Sequence, residues 1–293
     1  RNGKKWAKPL TGYTDHMPEL AGIQKELLQY AREDGVSLSA TVFLPPGHSM
    51  ETDGPLPTLI WAYPREFKSA EAAGQVRTSR YNFVRPSYSS ILFLLTQGYA
   101  VVLNPSMPII GEGETEPNDD YVSQLVAGAE AIVTELAKQG ISDPDRIAIG
   151  GHSYGAFTAA NLLAHTDLFR AGIARSGAYN RTLTPFGFQA EQRTLWEAPE
   201  VYFTMSPFMQ ASKINEPLLM LHGAEDPNSG TYPMQSKRMY EALQGLGATV
   251  RWVELPYEEH GYRSREAVGH VHYEMVSWLD AHVKDAESAD RAP

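Results

Sequence analysis

Apolar positions along the chain fall into short runs of strand length separated by longer stretches of helical period, and the alternation predicts an α/β fold. Residues 26–32 and 36–43 read as paired strands, because Glu33-Asp34-Gly35 between them is a hairpin turn signal. The run 56–63 reads as a buried strand. The polar connection 64–89 after it is long enough to suggest a functional role. A short helix over 91–97 is stopped by Gly98, a strand covers 99–104, and the proline- and glycine-rich stretch 105–118 is loop. Val122, Leu125, Val126, Ala129, Val133 and Leu136 recur with helical period between Asp119-Asp120 and Gly140, predicting a helix over 121–139.

The second half repeats the alternation: strand 147–149, helix 156–165, strand 171–174, strand 218–221, helix 233–246, strand 249–255 and a last helix over 264–283. Residues 176–212 hold no long periodic run and read as an insertion between strands. A hairpin leading a βαβα series predicts a mostly parallel central sheet flanked by helices, with an antiparallel N-terminal pair. Residues 1–22, broken by Pro9, Gly12, Pro18 and Gly22, are expected to be an extended lead-in. Residues 23–285 are expected to form one catalytic domain and 286–293 a frayed tail.

The chemistry concentrates at strand ends. Gly150-Gly151-His152-Ser153-Tyr154-Gly155 lies between strand 147–149 and helix 156–165, the setting that a G-x-S-x-G nucleophile elbow requires. The turn is tight enough to demand small neighbours, hence Gly151 and Gly155 around Ser153. A nucleophilic serine needs a base and a carboxylate that orients it. In an α/β-hydrolase these follow in the order Ser, Asp or Glu, His. Asp226 and His260 each sit just past the carboxyl end of a predicted parallel strand, where open α/β sheets place their sites. Glu225 is the rival acid, but Asp226, followed by Pro227, better suits a fixed loop carboxylate. Among the other histidines, His222 reads as a strand-end core residue, His165 as the end of the elbow helix, and His270 and His272 diverge on a helix.

Composition narrows the classes. With 42% hydrophobic and 20% charged residues the chain is an ordinary globular sequence, and a net charge of −10 argues against nucleic acid or an anionic membrane surface as partner. The absence of cysteine excludes disulfides, zinc–thiolate sites and a cysteine nucleophile. The chemistry calls for no cofactor and no metal. The start, Arg1-Asn2-Gly3-Lys4-Lys5, has no initiator methionine or apolar signal core, as expected of a chain processed, trimmed or cut from a longer protein.

Taken together, G-G-H-S-Y-G-A-F, the H-G-x-E-D-x-N segment at 222–228 and the E-x-H-G-Y segment around His260 resemble the catalytic domain of the prolyl oligopeptidase family of serine peptidases. W-A-Y-P-R-E-F at 61–67 and R-S-G-A-Y-N-R-T-L-T-P-F at 175–186 resemble its glutamyl endopeptidase branch most. The resemblance covers roughly residues 22–283 and implies Ser153, Asp226 and His260 as the triad, the same three residues that chain order and strand ends select. It further implies that Tyr63 lends its hydroxyl to an oxyanion hole beside the Tyr154 amide, and that Asn228 binds a substrate carbonyl. A preference for glutamate before the scissile bond needs a cation, and arginine grips a carboxylate through two parallel bonds. Arg181, in the insertion, is the candidate, with Arg175 and Arg193 as rivals. The family normally carries an N-terminal β-propeller that screens substrates, and no stretch of this chain resembles one. The expected activity is therefore peptide hydrolysis through an acyl-enzyme, with small acyl esters as the alternative substrate.

Overall fold

The strands Gln24–Ala31 (β1) and Ser37–Leu44 (β2) pair antiparallel, Leu28 opposite Ala40, and begin an eight-stranded sheet. The computed structural model describes residues 10–285 apart from Tyr13, His16 and Arg85, so half of the expected lead-in and all of the tail 286–293 lie outside the described residues. The remaining strands are Leu56–Trp61 (β3), Ala100–Leu103 (β4), Ser142–His152 (β5), Ala171–Arg175 (β6), Leu218–Gly223 (β7) and Val250–Leu255 (β8). Their order across the sheet is β1-β2-β4-β3-β5-β6-β7-β8. β2 meets β4 antiparallel, and every pairing from β4 to β8 is parallel. This is the α/β-hydrolase arrangement, with the antiparallel pair at one edge.

The period-2 geometry of a strand sends adjacent apolar residues to opposite faces, and both faces are covered. Ile60, Val102 and Met220 pack under the helices Tyr121–Lys138 (α1), Tyr154–His165 (α2) and Pro233–Gly245 (α4, following the short α3, Pro199–Met205). Their sequence neighbours Leu59, Val101 and Leu219 pack on the other side, against Ile91–Gln97 and the last helix, Arg265–Leu279 (α5). The elbow helix α2 is buried from Tyr154 through Ala164, which its alanine-rich, nearly charge-free sequence allows. Among the described residues no helix is long and apolar enough to cross a membrane.

Several elements depart from the pattern in the sequence. Residues 91–97 form a 3₁₀-helix. β5 begins at Ser142 rather than Ile147, because Ser142 pairs with Leu56 before a register shift between Leu56 and Thr58. Arg65–Phe67 and Pro108–Ile110, both inside stretches read as loop, pair as a small parallel sheet. Three residues are too few to show a period; the side chain of Gln124 on α1 secures the second of them, bonding both backbone groups of Ile110 at 2.9 Å. The insertion contains α3 and the 3₁₀ turns Arg181–Leu183 and Pro207–Lys213. β3 ends at Trp61, leaving Tyr63 two residues beyond it.

Candidate active site

Parallel strands deliver their following residues to one edge of the sheet, so Tyr63 after β3, Ser153 after β5, Arg181 after β6, Asp226 after β7 and His260 after β8 lie along the same rim. Ser153 occupies φ 60°, ψ −118°, a conformation that an L-residue adopts only under constraint. The constraint is close backbone packing. A Cβ on Gly151 would collide with the backbone of Gly155, and one on Gly155 with the carbonyl of Ala62. The Ser153 amide is held by the Arg175 carbonyl at 2.8 Å. Tyr154 then opens α2, so its amide faces the rim without an intrahelical acceptor.

Asp226 is buried, with no exposed side-chain surface, whereas Glu225 is exposed. Its Oδ2 accepts from His260 Nδ1 at 2.7 Å, and its Oδ1 from the Asn228 amide at 2.9 Å. Thr231 Oγ1 donates to Oδ2 at 3.0 Å and lies 3.2 Å from His260 Nδ1. Burial by itself would raise the Asp226 pKa, but hydrogen bonds from His222, His260 and the Asn228 amide, together with the His260 charge, outweigh it. The carboxyl is held well below the usual carboxylate range. With Nδ1 committed to Asp226, Nε2 of the partly exposed His260 is the nitrogen left to exchange protons with a nucleophile. No hydrogen bond joins Ser153 and His260 among the described residues; such contacts are commonly long without substrate and tighten in the complex.

The loop that carries His260 is held firmly. Glu258 accepts from the amides of Arg263 and Ser264, and from the Ser264 hydroxyl, while Ser264 caps α5. Burial works against the Glu258 charge, yet these bonds keep its pKa below the ordinary glutamate value. Tyr262 donates to the Leu221 carbonyl at 3.0 Å, tying the loop to β7. His152, next to Ser153, has its ring centroid 4.8 Å from that of His260. Burial, then the charges of Arg175 and His260, bring the His152 pKa down to about 3, so it stays neutral next to His260.

A cavity of about 420 Å³ opens at Ser153 and is lined by Tyr154, Arg181, Phe188, Asn228 and Thr231 among others. Arg181 is only 3% exposed. Its guanidinium lies over the rings of Phe157, Phe188 and Tyr154 at 4.4, 4.6 and 5.5 Å, and its Nε has no hydrogen-bond partner among the described residues. Burial pulls its pKa down, countered by Tyr154, Tyr121 and Glu66, and arginine remains charged under such conditions. The rivals lie elsewhere: Arg175 lines neither described cavity, and Arg193 is ion-paired with Glu191 and Asp119. Asn228 accepts from the Gly230 amide through Oδ1, which leaves Nδ2 for the cavity it lines. Tyr63 is 38% exposed, stands edge-on to Tyr154 at 5.8 Å, and lines a second cavity of about 950 Å³ on the other side of the elbow.

The sequence pattern marked His222 as a core or strand-end histidine but not its bond to Asp226, nor the bonds of Thr231 to Asp226 and of Glu258 within the His260 loop. A histidine four residues before the acid was the available signal, since the turn after β7 folds Nε2 of His222 back onto Asp226 Oδ2 at 2.9 Å. Among the described residues, no group of three or more histidine, aspartate and glutamate side chains is placed to hold a metal ion.

A profile of the prolyl oligopeptidase family matches residues 112–286, more than half of the chain. The chain belongs to the prolyl oligopeptidase family of serine peptidases. It is 55% identical over 97% of its length to a probable chloroplastic glutamyl endopeptidase of Arabidopsis thaliana, and 54% identical over 95% to one of Oryza sativa subsp. japonica. It spans 30% of the length of each of these relatives. Among solved structures, a puromycin hydrolase matches with a TM-score of 0.68 at 22% identity, covering 95% of this chain and 42% of that one. The acylaminoacyl peptidase of Pyrococcus horikoshii matches with a TM-score of 0.69 at 20% identity, covering 97% and 46%. These two likenesses bear on the fold alone.

Proposed function

We propose that this chain is the catalytic unit of a serine peptidase that cleaves after glutamate through an acyl-enzyme. The observation that carries the specificity is Arg181: a buried cation without an ion-pair partner among the described residues, lining the cavity that opens at Ser153. Aromatic faces stabilise the guanidinium without using up its N–H donors, so an incoming carboxylate meets a dry cation ready to donate. The names of the two plant relatives point the same way.

In this mechanism the Ser153 hydroxyl attacks the backbone carbonyl carbon of the acidic residue while His260 Nε2 takes its proton. Asp226 holds the tautomer and stabilises the imidazolium. The oxyanion is held by the Tyr154 amide and the Tyr63 hydroxyl, and the Asn228 amide group steadies a neighbouring substrate carbonyl. His260 returns its proton to the departing amine, and water, activated by the same base, releases the acid and regenerates Ser153.

The test has two arms. Fluorophosphonate should label the wild-type chain and leave Ser153→Ala unlabelled. Matched chromogenic peptides ending in Glu, Gln or Leu should then be cleaved in the order Glu far above Gln and Leu. Equal rates for the three would remove the glutamyl specificity, and turnover of small esters with none of peptides would replace the peptidase by an esterase.

A further inference from the structure

We infer that His222 is a positioning residue for the triad, a second imidazole that fixes the acid from behind while His260 uses it from the front. The inference rests on Asp226 and His260 being the acid and base of the proposed peptidase. His222 is fully buried; its Nε2 lies 2.9 Å from Asp226 Oδ2, and its Nδ1 2.6 Å from Ser236 Oγ on α4. A carboxylate only accepts, so Nε2 carries the proton, and Nδ1 takes the Ser236 hydroxyl hydrogen. One hydroxyl on a helix thereby sets the tautomer of one histidine, which in turn sets the rotation of the acid.

The arrangement has an electrostatic consequence. Asp226 Oδ2 receives three donors, His222 Nε2, His260 Nδ1 and Thr231 Oγ1. Each withdraws charge from the oxygen that supports His260. The His222 bond therefore makes Asp226 a weaker acceptor for His260, and restrains the basicity of the imidazole that must both take and return a proton. A catalytic base works best when its pKa lies near the working pH. The other groups around His260 are His152 at the end of β5, Arg175 behind His152, and Tyr262, Glu258 and Arg263 on its own loop. Of these only His152 feels His222, as the smallest of the causes that keep it neutral, and burial keeps it neutral when His222 alone is replaced.

A purely structural role for His222 would cost stability and leave the pH profile in place. The positioning role predicts that His222→Leu moves the acid limb of kcat/KM upward by about one pH unit, since one donor fewer competes for Oδ2. Its plateau kcat should fall on the order of tenfold, with KM changed by less than about twofold. His222→Gln, whose amide N–H can occupy the place of Nε2, should restore both. An acid limb that coincides with wild type in His222→Leu overturns the inference. Should that variant not fold, proton NMR of the wild type and of His222→Gln decides. Two downfield imidazole N–H signals are expected in the wild type, one of them absent from His222→Gln, and a single signal in the wild type overturns the inference. The spectrum needs no turnover, so two signals in a chain that hydrolyses nothing would count against the proposed function alone.

Discussion

Two buried arginines flank the elbow, and they differ in whether their cation packs or is open to a cavity. Arg175 lies over Trp61 and Tyr262 at 5.6 and 4.9 Å; Arg181 lies over three rings at similar distances. Both are almost wholly buried, and both leave Nε without a partner among the described residues. They differ in what they face. Arg175 backs onto His152, which it helps keep neutral, and touches neither described cavity, whereas Arg181 lines the one that opens at Ser153. Burial over aromatic faces is thus common to both. The cavity that opens at Ser153 is what sets Arg181 apart.

The comparison has meaning only if Ser153 is the nucleophile. Ser153→Ala should lower kcat by about 10⁶-fold, and near-normal turnover would leave neither arginine beside a reaction. Tyr63→Phe keeps the ring against Tyr154 and removes one oxyanion donor, for an expected loss of roughly 10²–10³ in kcat with nearly unchanged KM. Arg181→Met should collapse the ratio of Glu to Gln cleavage by about 10²-fold, the value of a charged hydrogen-bonded contact in a dry site, while Leu cleavage holds steady. Arg175→Met should leave that ratio within about twofold; a collapse there as well would erase the contrast.

The smallest effect belongs to Arg175 and is read in stability. His152 has a folded-state pKa of about 3 against an ordinary value of 6.5, depressed first by burial and then by the charge of Arg175. A group with a depressed folded pKa adds stability above its unfolded pKa, which is lost as pH falls through the folded value. Between about pH 6.5 and 3 the wild type should therefore lose Tm as the solution is acidified. Arg175→Met removes one cause of the depression and should flatten that slope, whereas Arg181→Met should not. Parallel Tm–pH curves for wild type and Arg175→Met would show that burial alone keeps His152 neutral.

How much could be read from the sequence depends on the range of the forces involved. The elbow was legible because glycine marks its constraints: one is local, between Gly151 and the Gly155 backbone, and the other, between Gly155 and the Ala62 carbonyl, comes from the neighbouring strand but leaves the same mark. Asp226 and His260 were legible because parallel strands bring the residues at their carboxyl ends to one rim. The supports of the acid were not. His222 at a strand end looks the same whether its Nε2 meets a carboxylate or a carbonyl, and Ser236 is an unremarkable helix residue until α4 packs beneath β7. Likewise nothing local distinguishes Arg181 from Arg175 or Arg193. Arg175 ends β6 and packs over Trp61, and only the path of the insertion puts Arg181 beside a cavity and Arg193 in ion pairs.

The backbone of Ser153 carries one more implication. A residue held at φ 60°, ψ −118° stores on the order of 1–3 kcal/mol, and it stays there only while Ala62, Gly151 and Gly155 press together. Any loosening between β3, β5 and α2 lets the serine fall back to an ordinary conformation and swings its hydroxyl away from the rim. Most strands and helices can persist through that change. Under the proposed mechanism hydrolysis would thus be a gauge of native order at the sheet's centre, expected to fall before bulk spectroscopic signals report unfolding.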